Sequence, residues 1–230
     1  MSLSIEEITL LGFSPGSVST LIEAAHLQYG TTSFRIIMNT DVKMSEAPFI
    51  HPDSTYYIEH IDQVKYSSQD KTAVHFGVNH AHIRPLIFRD FKEKFGIGMS
   101  DFVNIIHPSS QISITSRIDQ GFYLGALSVI SAFASIGFGV SVKRSCSIGH
   151  HCKLGDYVCI NPGVTISGFV EVGEGTEIGS GSTIIHNVSI GKHSMIGAGS
   201  VVTKDIPDGV VAYGNPCKVI RKNERWENSH

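Results

Sequence analysis

From Ile106 onward every sixth residue is aliphatic: Ile106, Ile112, Ile118, Leu124, Ile130, Ile136, Val142, Ile148, Leu154, Ile160, Ile166, Val172, Ile178, Ile184, Ile190, Ile196 and Val202. The run contains no insertion or deletion. The residue after the aliphatic is glycine at Gly125, Gly137, Gly149, Gly155, Gly173, Gly179, Gly191 and Gly197. Four residues after it the side chain is small or Val: Ser128, Ala134, Val140, Cys146, Cys152, Val158, Val164, Val170, Thr176 and Ser182, with Phe122 as the departure. An α-helix repeats at 3.6 and a lone strand at 2. A six-residue period sustained this long predicts a triangular coil. Each face takes six residues, three faces close one turn, and the aliphatic points inward. Stacked turns pair strand on strand at about 4.8 Å, so the backbone groups find partners. The glycine after the aliphatic is expected to supply a corner conformation that a Cβ would oppose.

The pattern before the coil is different. Residues 7–11 (Glu-Ile-Thr-Leu-Leu) read as a strand, and Gly12-Phe13-Ser14-Pro15-Gly16 as a turn. Val18, Leu21, Ile22 and Ala25 then mark one face of a helix ending near Gly30. Phe34–Met38 and Thr72–Gly77 read as further strands, residues 44–70 as irregular. Ile83, Leu86, Ile87 and Phe91 mark a second helix. Strands alternating with helices predict a small parallel α/β domain over residues 1–104, followed by a coil domain over 105–230. Ligands of such sheets sit beyond the C-terminal strand ends, where the Gly12–Gly16 turn lies, at a helix start suited to a phosphate; its spacing is not a dinucleotide fingerprint, and an ordinary tight turn is the other reading.

Composition narrows the function classes. Apolar residues make up 41% of the 230 and charged ones 17%, which suits a folded core rather than disorder. A formal charge of −3 with no Lys/Arg-rich run argues against nucleic acid as a partner. No apolar stretch approaches the roughly 20 residues that span a bilayer, and Met1–Leu10 lacks the basic flank of a signal peptide. The expected location is the cytoplasm, with Cys146, Cys152, Cys159 and Cys217 as reduced thiols.

Order and length carry a family resemblance. A short Rossmann-like domain, an uninterrupted hexapeptide coil, and the closing segments Asp205-Ile206-Pro207 and Gly214-Asn215-Pro216-Cys217-Lys218 follow in sequence. Ile148-Gly149-His150-His151-Cys152-Lys153-Leu154-Gly155 is similar to the segment that bears a catalytic histidine. Together these resemble the NeuD/PglD-like sugar acetyltransferases, among them the N-acetyltransferases of bacillosamine and perosamine synthesis and sialic acid O-acetyltransferases. The resemblance implies a left-handed coil and a homotrimer with acetyl-CoA in the groove between neighbouring coils. It implies His150 as the base that deprotonates the acceptor, and Gly168, one coil on, as the backbone N–H donor to the thioester carbonyl. It places CoA against Gly168, Ser180 and Ala198, with Lys204, Lys218 and Arg221 near its phosphates. It places the nucleotide sugar at Gly12, Ser14 and Asn79, the last within Gly77-Val78-Asn79-His80, where a turn or helix cap is the other reading of the asparagine. The implied activity is transfer of acetyl to the amino group of a nucleotide-linked sugar, with O-acetylation as the alternative and no metal required.

The residues themselves support His150. It stands two past Ile148, beside a corner, where an imidazole has no packing role. Amine acetylation needs a base near neutrality, because an ammonium has no lone pair to attack with. Relatives commonly carry Glu or Asp after this histidine; here it is His151, which either orients the ring, contacts substrate, or is a solvated side chain. Some relatives carry a second histidine where this chain has Cys159. Relatives often read Gly-x-Ser-Gly-His-Gly at the first turn, where Gly12 and Ser14 match and the histidine does not.

Two other classes compete. His150 and His186 resemble half of the zinc site in γ-class carbonic anhydrases, but the third position is Gly191 and His193 is two residues off. A catalytically degenerate trimeric binding protein would keep the coil and lose activity, and the missing acid after His150 points that way.

Overall fold

The computed structural model describes residues 4–39, 52–64 and 73–226. The first domain is a parallel sheet with two helices. β1 (Glu7–Leu11) leads to α1 (Pro15–Tyr29), then β2 (Ser33–Met38), β3 (Thr55–His60), β4 (Ala73–Phe76) and α2 (Arg84–Phe95). The strand order is β3-β2-β1-β4. β1 lies between β2 and β4, so the loops after β1 and β4 flank the point where the strand order reverses. Such sheets open a ligand crevice there. α1 starts after Ser14 with Pro15 in its first turn, and ends at Gly30 with φ +73.

β3 corrects the reading of residues 44–70 as irregular. Thr55–His60 pairs in register with Ser33–Met38. It is an edge strand of exposed and half-buried residues, so no run of buried aliphatics marks it in the sequence. The remainder of that stretch lies largely outside the described residues.

A left-handed parallel β-helix follows. Seventeen two-residue strands run from β5 (Ile105–Ile106) to β21 (Val201–Val202). Three make each turn, giving between five and six turns in three parallel sheets. The repeating aliphatics form one continuous core with the residues four positions on. A fully buried Ile or Val contributes roughly 1.5–3 kcal/mol, so the stacked core dominates stability. The polar members of that second inward position have a further role. Ser128 Oγ donates to Lys143 O, Thr176 Oγ1 to Gly191 O and Ser182 Oγ to Gly197 O, each fifteen residues on. Cys146 and Cys152 reach Asn161 O and Ser167 O in the same way. The small hydroxyl or thiol satisfies a carbonyl of the next coil that a methyl would leave unpaired.

The expectation for the repeat glycines is corrected. The left-handed corner falls three residues after the aliphatic, and it is filled by Leu127, Phe133, Ser145, His151, Tyr157, Phe169, Asn187 and His193 as well as by glycines. None of the glycines directly after the aliphatic has a positive φ. They are bare because the next coil passes over them: a Cβ on Gly149 would lie 2.5 Å from Ser167 C and 2.6 Å from Gly168 N. The constraint is stacking clearance.

The coil ends in a hairpin of β22 (Val210–Gly214) and β23 (Cys217–Lys222), where the closing segment was expected. The first domain packs on the early coil through Phe76, Phe102, Phe138 and Tyr157, which share one buried cluster. Arg84 locks this contact. Its fully buried guanidinium donates to Gly139 O, to Tyr157 O at 2.7 Å and to Val158 O at 3.3 Å. Burial pulls its pKa down from the ordinary arginine value.

Candidate functional site

The three edges of the coil carry different residues. One edge stacks Ala126, Arg144, Pro162, Ser180 and Ala198 at the position two after the aliphatic. A second edge stacks Ala132, His150, Gly168 and His186. A third carries Phe138, Asp156, Glu174 and Lys192.

His150 is exposed on the second edge, with its neighbours Ile148 and Cys152 buried in the core. The corner beneath its ring is fixed from both sides: Phe169 N donates to His150 O at 2.9 Å and His151 N to Ala132 O at 3.0 Å. The imidazole leans over Gly168, where a Cβ would lie 2.7 Å from both its Cε1 and its Nε2. Any side chain at that position would displace the ring. Gly168 O accepts from Asn187 N at 3.2 Å, while Gly168 N–H donates to no other group among the described residues. An outward imidazole and an open backbone N–H therefore lie side by side on one edge. Such a pair can act as a general base beside a donor to a developing carbonyl charge.

His151 meets His150 directly, Nδ1 to Nδ1 at 3.0 Å. Its ring stacks on Phe169 with centroids 4.7 Å apart at 17°, and on its other side lies Phe133 at 4.9 Å. The sequence offered no role for these two phenylalanines. The signal was their spacing: Phe133, His151 and Phe169 are eighteen residues apart on solvent-facing corner positions.

Ser14 and Asn79 meet in a cleft of about 470 Å³ between the first domain and the coil. Its first-domain wall comes from the start of α1 and the loop after β4, including Thr20, Glu23 and His80; its coil wall includes His107, Tyr123, Lys143 and Arg144. Asn79 Oδ1 accepts from Ser141 Oγ at 3.3 Å, tying the loop to the coil. Asn79 does not cap α2, whose preceding residue is Ile83. Lys143 Nζ donates to Asn161 Oδ1 at 2.8 Å. Tyr123 is buried at the base of the cleft, and burial raises its pKa. Lys143 and Arg144 face Glu23 as the one carboxylate in the lining, so the cleft is cationic. Sequence reasoning missed both residues because they occupy ordinary solvent-facing repeat positions.

Gly12 does not line this cleft. Its φ of +79, and the 2.5 Å that would separate a Cβ from Ile87 Cδ1, make it the turn that brings Ser14 into place. Ser180 and Ala198 continue the cleft edge, not the edge of His150 and Gly168. Lys204 and Lys218 are exposed at the end of the coil. Among the described residues no three His, Cys, Asp or Glu side chains approach closely enough to hold a metal, and no helix is long and apolar enough to cross a membrane. A larger, more open groove of about 760 Å³ runs beside Asp156, Glu174 and Asp208 and contains none of the candidate residues.

Residues 133–168 and 169–204 match the family described as bacterial transferase hexapeptide (six repeats). No curated protein matches the chain. Solved structures do. The acetyltransferase domain of PglB from Neisseria gonorrhoeae, in complex with acetyl coenzyme A, is 25% identical with a TM-score of 0.75; the match covers 94% of this chain and 100% of that one. PerB from Caulobacter crescentus, in complex with CoA and GDP-perosamine, is 26% identical over 96% of this chain and 100% of that one, with a TM-score of 0.63. WeeI from Acinetobacter baumannii, at 20% identity and a TM-score of 0.74 over 94% of this chain and 100% of that one, shares the fold.

Proposed function

We propose that this chain, a member of the NeuD/PglD-like sugar acetyltransferases, transfers acetyl from acetyl-CoA to the amino group of a nucleotide-linked sugar. The observation that carries the reading is the outward imidazole of His150 against the open N–H of Gly168, one coil apart on a single edge. In this reading the first domain, residues 1–104, takes the nucleotide sugar, and residues 105–230 carry out acyl transfer in the cytoplasm.

The chemistry balances within these residues. The acceptor nitrogen attacks the thioester carbonyl, and its N–H proton passes to Nε2 of His150. Gly168 N–H donates to the carbonyl oxygen as it gains charge; one such donor lowers the barrier by about 3 kcal/mol. Collapse breaks the carbon–sulfur bond, and His150 returns the proton to the departing sulfur. The products are the acetamido sugar and the CoA thiol. No metal is needed.

The sugar-nucleotide site is the interdomain cleft, with Ser14 and Asn79 on one wall and Lys143 and Arg144 on the other. Within one chain this cleft and His150 lie on different edges, with the face of Val129, Ser147 and Thr165 between them. A homotrimer resolves this, because it brings the His150 edge of one copy to the cleft edge of the next. CoA then lies between coils, against Gly168 of one copy and Ser180 and Ala198 of its neighbour. Lys204 and Lys218 stand at the coil end toward its phosphates.

The test is release of CoA thiol from acetyl-CoA with a panel of nucleotide-linked amino sugars, wild type against His150→Ala. The reading expects turnover with a nucleotide amino sugar and its loss in the variant. A protein that binds acetyl-CoA in neither form would overturn it in favour of a binding protein.

A further inference from the structure

We infer that His151 is the positioning residue of the base: a neutral imidazole, held between Phe133 and Phe169, that accepts the Nδ1 proton of His150 and so leaves Nε2 unprotonated toward Gly168. The inference rests on the reading of His150 as base, and adds how its tautomer is set without the carboxylate that relatives carry.

A neutral imidazole has one N–H and one lone pair. Two Nδ1 atoms 3.0 Å apart must therefore share a single proton between them. Two protons there would clash, and none would set two lone pairs face to face. The direction follows from the other end of the ring. Nε2 and Cε1 of His150 lie nearest Gly168, each 2.7 Å from where a Cβ would stand, with Nδ1 at 3.1 Å and turned to His151. For Nε2 to take a proton from a nucleophile it must carry the lone pair, so Nδ1 carries the hydrogen and donates it. His151 then accepts at Nδ1 and holds its own hydrogen on Nε2.

An acceptor imidazole is useful only if it cannot turn away, and the edge supplies that restraint. The His151 ring lies almost parallel to Phe169, at 4.7 Å and 17°, and Phe133 covers its other side at 4.9 Å and 36°. Phe169 also meets His150 edge-on, at 5.0 Å and 89°. All three corner residues have φ between 57 and 60, a conformation that bulky side chains seldom adopt. Phe133 is 58% and Phe169 51% exposed, so core packing does not account for them. During transfer His150 gains a proton at Nε2 and loses it there to sulfur, while its Nδ1–H keeps donating to His151. His151 gains and loses nothing.

The test is nitrogen-15 NMR of the histidine rings in the full-length protein without ligand, with His150 assigned by the signals lost in His150→Ala. The expected spectrum shows His150 protonated on Nδ1 and His151 on Nε2. His151→Phe keeps an aromatic ring in the stack and removes the acceptor. It should move His150 toward the Nε2-protonated tautomer and lower kcat by roughly tenfold or more, with both KM values unchanged. His151→Asn, whose amide oxygen can accept, should restore much of the loss. His150 protonated on Nε2 in the wild type, or wild-type kcat in His151→Phe, would overturn the inference. The tautomer is read without turnover, so its failure is distinguishable from a failure of the proposed activity.

Discussion

A Cβ on Gly168 would lie 2.7 Å from Nε2 of His150, so the space the imidazole occupies exists only because residue 168 is glycine. Gly168→Ala should therefore lower kcat by roughly a hundredfold, through a displaced ring, while the open edge leaves the fold intact. Steady-state kinetics beside a thermal melt check this. Unchanged kcat would show that the ring and the backbone N–H do not act together.

Gly149 sets the contrast. A Cβ there would meet backbone of the next coil at 2.5 to 2.7 Å, at Ser167 and Gly168. Backbone cannot swing aside as a ring can, so Gly149→Ala should destabilise the coil by about 1–3 kcal/mol. Urea denaturation measures it. A neutral result would mean that stacking clearance does not explain the repeat glycines.

Lys143 and Arg144 make the cleft cationic. Replacing both with alanine should raise KM for the nucleotide sugar by roughly tenfold to a hundredfold, with KM for acetyl-CoA unchanged. Kinetics with each substrate varied in turn separates the two.

His75 predicts a pH dependence of stability. Its buried ring lies between Phe76 O at 3.1 Å and Phe122 O at 3.4 Å, and burial lowers its pKa from 6.5 to about 4. The folded value is the lower one, so between pH 6.5 and 4 the unfolded chain binds more protons and stability falls as pH falls. The contribution, on the order of 3 kcal/mol, is complete above pH 6.5. His75→Phe should remove this share of the slope between pH 7.5 and 5 in urea titrations.

The coil was legible because one constraint repeats: Ile148 and its sixteen equivalents each face the same interior, so burial writes a period into the chain. His150 stood out for the opposite reason, as a polar ring at an outward corner position where the repeat requires no particular side chain. Other features depend on partners distant in sequence. Arg84 is one residue in an unremarkable helix start, and only the coil carbonyls of Gly139, Tyr157 and Val158 explain it. Lys143 and Arg144 resemble any solvated pair until α1 and the loop after β4 are seen to line the same cleft. The glycines after eight of the aliphatics were visible, but their reason was not, since φ and the clearance to the next coil cannot be told apart in a sequence. β3 escaped because an edge strand of exposed and half-buried residues writes no apolar run.

The proposed role of the outward His150 imidazole is to move the acceptor's proton. It is tested most directly by CoA-thiol release with a nucleotide-linked amino sugar, comparing wild type and His150→Ala at matched acetyl-CoA saturation. In the variant kcat should fall by roughly a hundredfold to ten-thousandfold, with acetyl-CoA binding by calorimetry unchanged. Equal turnover by the two proteins would contradict it.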